Sequence, residues 1–589
     1  MKKFFKSVLA TTIGVIVGTF LTFLIVPFIM VLFFKGAQVA KTEPIKSKSI
    51  LHLRLHGSIT EKHRPLDFDF LGGSSIFSEE RTMGLYEINK AIDIAKTDKR
   101  IEGIYLEIRD FSAGWATITS IRRHIADFAT TGKWVYAYGE RMDEMGYYLA
   151  SVATESYLQP SGELEFNGLA VNEAFLKGLF TKIDIEPRIF RVGKFKAAVE
   201  PLILDKMSDE NREQNRALLE DVWGQVKTTV TASTKIGGEK LDSIASGLTV
   251  ASADEAVQAG LIKSVSFEDA LEDKMKEKTV GKDEELELVG PNRLIKDSTQ
   301  ASASKKGNKI AVIFAQGEIV SGVGSRDSIG SESLRQDILD AKDDEEVGAI
   351  VVRVNSPGGD ALASDVIWRE LRITDDEMPV VVSMGDVAAS GAYYIASAAR
   401  YIYAEPTTIT GSIGVFGLMF NTEKFFKNKT GVNFDRVVSH QYADIGNSNR
   451  PMSKYESDMI QREVERVYKR FLDVVNEGRG FEKRSDLEQI AEGRVWSGTR
   501  AKQNGLVDEL GGLDEAIAKA AEFAEMGKDY QVEIFPEEKD PFSSLVERLA
   551  GDSVESWLGR ANLETLQQLT KEPLKSGIFA RLPYDLKIR

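Results

Sequence analysis

The chain has 589 residues, of which 42% are hydrophobic and 28% charged, a balance that supports two or three buried cores rather than one. Its 75 Lys and Arg stand against 90 Asp and Glu, and the formal charge of −15 argues against nucleic acid as the main partner. Cysteine is absent, which removes disulfides, thiolate metal sites and a cysteine nucleophile; the five histidines (His52, His56, His63, His124, His440) lack zinc-motif spacing, so no metal is expected.

The N-terminus opens with "MKKFFKS" and continues as Val8 to Phe34, 27 residues without a charge. About 20 apolar residues suffice to cross a bilayer as a helix, and a cleaved signal peptide has a shorter core and a small-x-small site. The stretch predicts a retained transmembrane anchor within residues 1–47. Lysines lie on both sides of it, so charge leaves the orientation open.

From Ser49 onward β-branched runs alternate with amphipathic helical stretches, the pattern of βαβ crossovers and a largely parallel sheet covered by helices. Four segments then return in the same order. "SILHLRLHGSI" (49–59) returns as "KIAVIFAQGEI" (309–319), and "EGIYLEIRDFSAG" (102–114) as "GAIVVRVNSPGGD" (348–360). "KWVYAYGERMDEMGYYLAS" (133–151) matches "PVVVSMGDVAASGAYYIAS" (379–397), and "SGLTVASADEAVQAGLI" (246–262) matches "EGRVWSGTRAKQNGLV" (492–507). Two homologous α/β domains are therefore predicted at 48–275 and 308–535. Residues 276–307, charged and then Ser/Gly-rich, read as a linker, and 536–589 as a tail with one or two amphipathic helices.

The two copies differ at two neighbouring places. "NSPGG" (355–359) faces "RDFSA" in the first half, and Ser390 and Gly391 face Glu144 and Met145. Ser390 stands where an apolar strand becomes a helix, so its hydroxyl is either a helix N-cap or a nucleophile. A turn with positive φ explains "PGG" alone; it does not explain why these glycines and the Ser-Gly pair vanish together from the other half.

The blocks "VVRVNSPGGDALAS", "VVVSMGDVAASGAYYIAS", "TTITGSIGVFG", "GRVWSGTRAKQNGLVDELGGLDEAIAKAA" and, in the first half, "FRVGKFKAAVEPLILDKMS" resemble the signature blocks of the signal peptide peptidase A family, in its long tandem form. That family belongs to the Clp protease/crotonase superfamily, so the resemblance implies two tandem domains of repeated ββα units after a membrane helix. It also implies a Ser-Lys dyad, with Ser390 as nucleophile, Lys196 as general base and Ser412 holding the amine in line. The oxyanion hole would use N–H groups of Gly391 and of Gly359 or Gly358. Each half is then catalytically incomplete: the first keeps the lysine, the second the serine. Lys194, two residues before the base, is taken as a solvated charge.

By the same resemblance the chain is a membrane-anchored endopeptidase of remnant signal peptides and other short apolar peptides, without a cofactor. Its body would lie outside the cytoplasm on a bacterial inner membrane, and it would assemble into a homo-oligomer, a tetramer for a duplicated chain. The sequence departs from the family's pattern at Asp386, where glycine is common and where an acid could alter the groove or the pH profile. It also departs at Ala197, where serine is common. The alternatives are a Ser-His-Asp protease using His440, a crotonase-like acyl-CoA enzyme, and a non-catalytic membrane scaffold.

Overall fold

The computed structural model describes residues 44–63, 82–301, 308–325, 327–536 and 577–581, together with positions 14, 15, 18 and 21. Apart from those four positions, the predicted apolar stretch 8–34 lies outside the described residues; among those described, no helix is long and apolar enough to cross a membrane.

Each half builds one sheet from the runs its sequence marks. In the first, strand Ser49–Thr60 neighbours Ile101–Ser112, which is followed by Trp134–Met142, Glu155–Leu164 and the short Ser264–Val265. In the second, Lys309–Gln316, Val347–Ser356, Val380–Ala389 and Tyr401–Ala404 repeat that order. All of these pairings are parallel. The central strand of each sheet is buried on both faces, which is why its sequence runs as "AIVVRV" instead of alternating. Helices cover the faces through stripes at helical spacing. Leu85–Thr97 buries Leu85, Ile88, Ala91, Ile92 and Ala95, and Ser331–Asp343 buries Leu334, Ile338 and Ala341.

One expectation fails here. The segment expected as a linker supplies a strand, Leu288–Val289, paired with Ser49–Thr60, and a helix, Pro291–Ala301. Val289 and Leu294 are fully buried in the first core, because this segment closes an otherwise open sheet edge and helix face. The stretch of the tail expected as helical lies outside the described residues; the part of the tail that is described forms a β-strand, Gly577–Arg581.

A third sheet takes strands from both halves and the tail. Its order is Ser328–Gly330, Glu318–Val320, Gly358–Asp360, Gly577–Arg581, Val415–Asn421 and Glu186–Val192. The last pair is antiparallel and places Val415 opposite Val192. Buried polar contacts close the rest of the seam. Arg353 Nε donates to Glu61 Oε2 at 2.8 Å, both side chains being 2% exposed, and Asn355 Nδ2 donates to Glu61 Oε1 at 2.8 Å. Arg500 is held by Asp221 at 2.6 Å.

Candidate active site

The strand pairing across the seam brings the two half-sites together. Lys196 follows the end of Glu186–Val192 by four positions, and Ser412 precedes Val415–Asn421 by three. Between strand and lysine, Gly193 takes φ +101° against the backbone of Glu492, where a Cβ would lie 2.4 Å from the carbonyl carbon. Phe195 N–H donates to Glu492 O at 3.0 Å, and Gln214 Nε2 donates to Phe195 O at 3.3 Å. The lysine stem then runs over two glycines. A Cβ on Gly493 would be 2.7 Å from Lys196 Cβ, and one on Gly414 would be 3.3 Å from Cδ.

The amine ends in a closed polar cluster. Lys196 Nζ lies 2.7 Å from Ser390 Oγ, 2.9 Å from Ser412 Oγ and 3.1 Å from Ser412 O, with all three residues fully buried. Among the described residues no carboxylate reaches it. Burial therefore acts unopposed and holds the amine well below its ordinary range. A neutral amine has two N–H donors and one lone pair. Donating to Ser412 O and Ser412 Oγ leaves the lone pair for the Ser390 hydroxyl proton.

Ser390 sits at the N-cap position of helix Gly391–Ala396, yet its side chain makes no capping bond. Its backbone has φ 58° and ψ −118°, a region that costs about 1–3 kcal/mol for a residue with a Cβ. Its N–H donates to Gly411 O at 2.8 Å, and its carbonyl accepts from Tyr394 N–H at 2.9 Å. Ser412, at φ 53°, is fixed by its N–H donating to Arg494 O at 2.7 Å. The cap reading of Ser390 therefore fails: the turn aims its hydroxyl at the lysine.

The three glycines form one cradle beside the serine. A Cβ on Gly358, whose φ is +95°, would be 2.7 Å from Gly391 N; one on Gly391 would be 3.1 Å from Gly359 N. Gly358 N–H already donates to Ser356 Oγ at 3.1 Å, which favours Gly391 and Gly359 as donors to a ligand.

The remaining sequence candidates lie elsewhere. His440 is exposed, with Nδ1 3.0 Å from Ser439 Oγ in a surface loop, and its ring is not among the partners of Ser390; the triad reading is thereby corrected. Lys194 pairs with Glu492 at 3.2 Å and is 60% exposed. Asp386 is engaged at the seam between the halves. It reaches into the first half, accepting from Thr117 N–H at 2.8 Å and from Thr117 Oγ1 at 2.6 Å. There it caps the helix Trp115–Ala129, whose own N-cap, Gly114, has no side chain to offer. Burial, and then the nearby Glu61, raise its carboxyl above the ordinary range.

Sequence reasoning did not find Gly414, Gly493, Gln214 or the C-terminal strand. Gly414 and Gly493 stand in quoted blocks, but only the folded lysine shows what they make room for. Gln214 carries no local signal.

Peptidase family S49 matches the chain twice, over residues 127–281, which contain Lys196, and over 372–527, which contain Ser390 and Ser412. The chain belongs to peptidase family S49. It is 36% identical to "Protease 4" of Salmonella typhi over 90% of this chain and 86% of that protein. It is 33% identical to "Serine protease SPPA, chloroplastic" of Arabidopsis thaliana, over 86% and 74% respectively. With "Protease 4" of Haemophilus influenzae it shares 32% identity over 94% and 92%. As an S49 member with two tandem domains the chain is a serine peptidase, and peptides are its substrate class.

Proposed function

We propose that the chain is an endopeptidase using Ser390 as nucleophile and Lys196 as general base, both from one chain. The observation that carries this reading is the 2.7 Å contact between Ser390 Oγ and the buried Lys196 Nζ. Ser390 Oγ attacks the scissile carbonyl while Lys196 takes its proton. The ammonium then returns that proton to the leaving amide nitrogen, giving an acyl-enzyme, which water opens by the same route in reverse. Ser412 orients the amine, and the N–H groups of Gly391 and Gly359 stabilise the oxyanion. Glycine serves there because a Cβ on Gly391 would stand 3.1 Å from Gly359 N, in the space the carbonyl oxygen needs, and one on Gly359 would collide with Ile319 O at 2.0 Å.

Remnant signal peptides and other short apolar segments are the proposed substrates. Residues 8–34 would anchor the chain in the cytoplasmic membrane with the body on its outer side, as a homo-oligomer of four. The charge-free length of that stretch supports the anchor. Carbonate washing of membranes, which should leave the chain in the pellet, tests it.

For the chemistry, the full chain in detergent is assayed on a fluorogenic peptide beside Ser390→Ala, Lys196→Ala and His440→Ala. The first two variants should lose at least about 10³-fold in kcat/KM, since members of a catalytic unit are grossly non-additive, and the third should change little. Full activity in Ser390→Ala would sink the reading.

A further inference from the structure

The strand that delivers Ser390 is irregular just before it. Val347–Ser356 and Val380–Ala389 pair residue by residue up to Val354 and Met384, but the next pairing is Ser356 with Ala388. Asn355 alone therefore stands opposite Gly385, Asp386 and Val387, a bulge that ends three residues before Ser390. Bulges re-aim the residues that follow them and are common beside active sites. Here the serine strand changes neighbour, pairing with Tyr401–Ala404 up to Met384 and with Ile409–Gly411 from Val387 onward.

Each residue of the bulge is held. A Cβ on Gly385 would be 2.3 Å from Glu61 Oε1, and Gly385 O accepts from Thr408 Oγ1 at 2.8 Å. Asp386 is bound to Thr117 of the first half. Val387 N–H donates to Asn355 Oδ1 at 3.1 Å, while Asn355 Nδ2 donates to Glu61 Oε1 at 2.8 Å. Val387 N–H can only donate, and the Glu61 carboxylate, paired with Arg353, only accepts. A single orientation of the Asn355 amide serves both. Asn355 also opens "NSPGG": its carbonyl accepts from Gly317 N–H at 3.1 Å, and Ser356 beside it receives Gly358 N–H. In the first half the counterpart, Arg109, is spent on Glu107 and Glu268 of its own half.

We infer that Asn355 is a positioning residue for both the nucleophile turn and the glycine cradle, and that Glu61 of the first half sets its amide. The inference rests on the Ser390–Lys196 reading and enlarges the first half's part in it. That half brings the base and also orients the strand that carries the serine. With the amide turned over, Asn355 Nδ2 would face Val387 N–H, donor against donor. The bulge would then relax, moving Ser390 Oγ from Lys196 Nζ and Gly391 N from Gly359 N. A misplacement of about 1 Å can cost about 10²-fold in rate when reacting groups must be aligned. Such a shift removes contacts made in the transition state, so the loss falls on kcat rather than on KM.

The test uses the full chain in detergent, a fluorogenic peptide, and a fluorophosphonate that labels Ser390. Asn355→Ala should lower kcat by about 10²-fold while KM changes by less than about threefold. Asn355→Asp keeps an acceptor for Val387 but sets two carboxylates against each other. Glu61→Gln sets two amides against each other and no longer fixes which way Asn355 turns. Each of these should lose about tenfold or more in kcat. The double variant, Asn355→Asp with Glu61→Gln, exchanges donor and acceptor at unchanged net charge and should recover kcat to within about threefold of the native chain. Labelling of the single variants should be slower than native yet reach the native stoichiometry, because every chain is folded with its serine displaced. Reduced stoichiometry at the native labelling rate would mean that the substitutions only unfold the chain, and overturns the inference. So does native kcat in Asn355→Ala, or a double variant no faster than the slower single one. In all three cases Ser390-dependent hydrolysis by the native chain leaves the peptidase reading standing; its absence there overturns both.

Discussion

The same turn occurs twice, and the two copies use it differently. In the first half the strand Trp134–Met142 enters helix Glu144–Ala150 through Asp143, a relaxed N-cap with φ −94° whose Oδ1 accepts from Gly146 N–H at 2.8 Å. Glu144, the counterpart of Ser390, is buried and accepts from Asn167 and Gly168 N–H at 2.6 and 2.8 Å. Both carboxylates of that turn are spent on local structure. In the second half the turn is strained, its serine caps nothing, and the hydroxyl meets an amine from 194 positions earlier. The two copies thus present equivalent turns, and the proposed nucleophile stands in the one whose backbone is strained and whose side chain faces a partner from the other copy.

The largest expected effects test whether that division is complete. Lys196→Arg should be as inactive as Lys196→Ala, because a guanidinium stays protonated and cannot act as a base. Glu144→Ser placed in a Ser390→Ala background should restore nothing, since among the described residues no buried lysine faces that turn; measurable turnover by this double variant, above that of Ser390→Ala alone, would break the comparison. In the native chain, kcat/KM should rise with pH along a limb set by Lys196. Burial lowers that amine, the neutral form is the competent one, and the limb should therefore lie well below pH 10. A limb at the ordinary lysine value would mean the amine is solvated.

The next effect concerns how firmly the halves are joined. Arg353 and Glu61 are buried across the seam, and removing one partner leaves an uncompensated buried charge. Glu61→Ala should cost about 3–5 kcal/mol in chemical denaturation. It should also lower activity, because Arg353 donates to Ser383 Oγ and Met384 O on the serine strand, both at 2.8 Å.

A smaller effect is expected at His124, which stands 3.0 Å from Asp93 of its own half and 3.0 Å from Asp514 of the other. Burial opposes its charge, but the ion pair with Asp514 and the hydrogen bond to Asp93 prevail and raise its pKa to about 9. The folded value exceeds the unfolded one, near 6.5, so the stabilisation is complete below about pH 6.5 and lost as pH rises through 9. The two carboxylates are about half exposed, so the loss should be of order 1–2 kcal/mol. Denaturation midpoints at about pH 6 and about pH 9.5, on either side of that window, should differ in the native chain and differ less in His124→Gln.

Much of this was legible in the sequence for a physical reason: parallel strands buried on both faces leave continuous β-branched runs, and a duplicated fold repeats them at a fixed offset. Ser390, Gly391, Gly359 and Lys196 stood in quotable blocks. The third sheet was not legible, because pairing between Glu186–Val192 and Val415–Asn421 depends on main-chain groups that any sequence offers. The tail strand went unread for the opposite reason. Its upstream residues show helical periodicity, whereas five residues around Phe579 and Ala580 take their conformation from the two strands that flank them.

The smallest effect belongs to Asp386, and it arises from two opposed contributions. Its carboxylate gives the helix Trp115–Ala129 the cap that Gly114 cannot, worth about 1 kcal/mol. It is also a partly buried acid near Glu61; desolvation first, and that proximity second, raise its pKa, so part of the capping gain is offset. Asp386→Asn keeps an acceptor for Thr117 and removes the charge, and should therefore be neutral or slightly stabilising. Asp386→Ala loses the acceptor as well and should destabilise by about 1 kcal/mol. Neither should alter the pH limb of kcat/KM, because among the described residues Lys196 has no contact with Asp386. A shift of that limb in Asp386→Asn would show that the acid acts on the amine through the serine strand, making the second half's turn sensitive to the seam in a way the first half's turn is not.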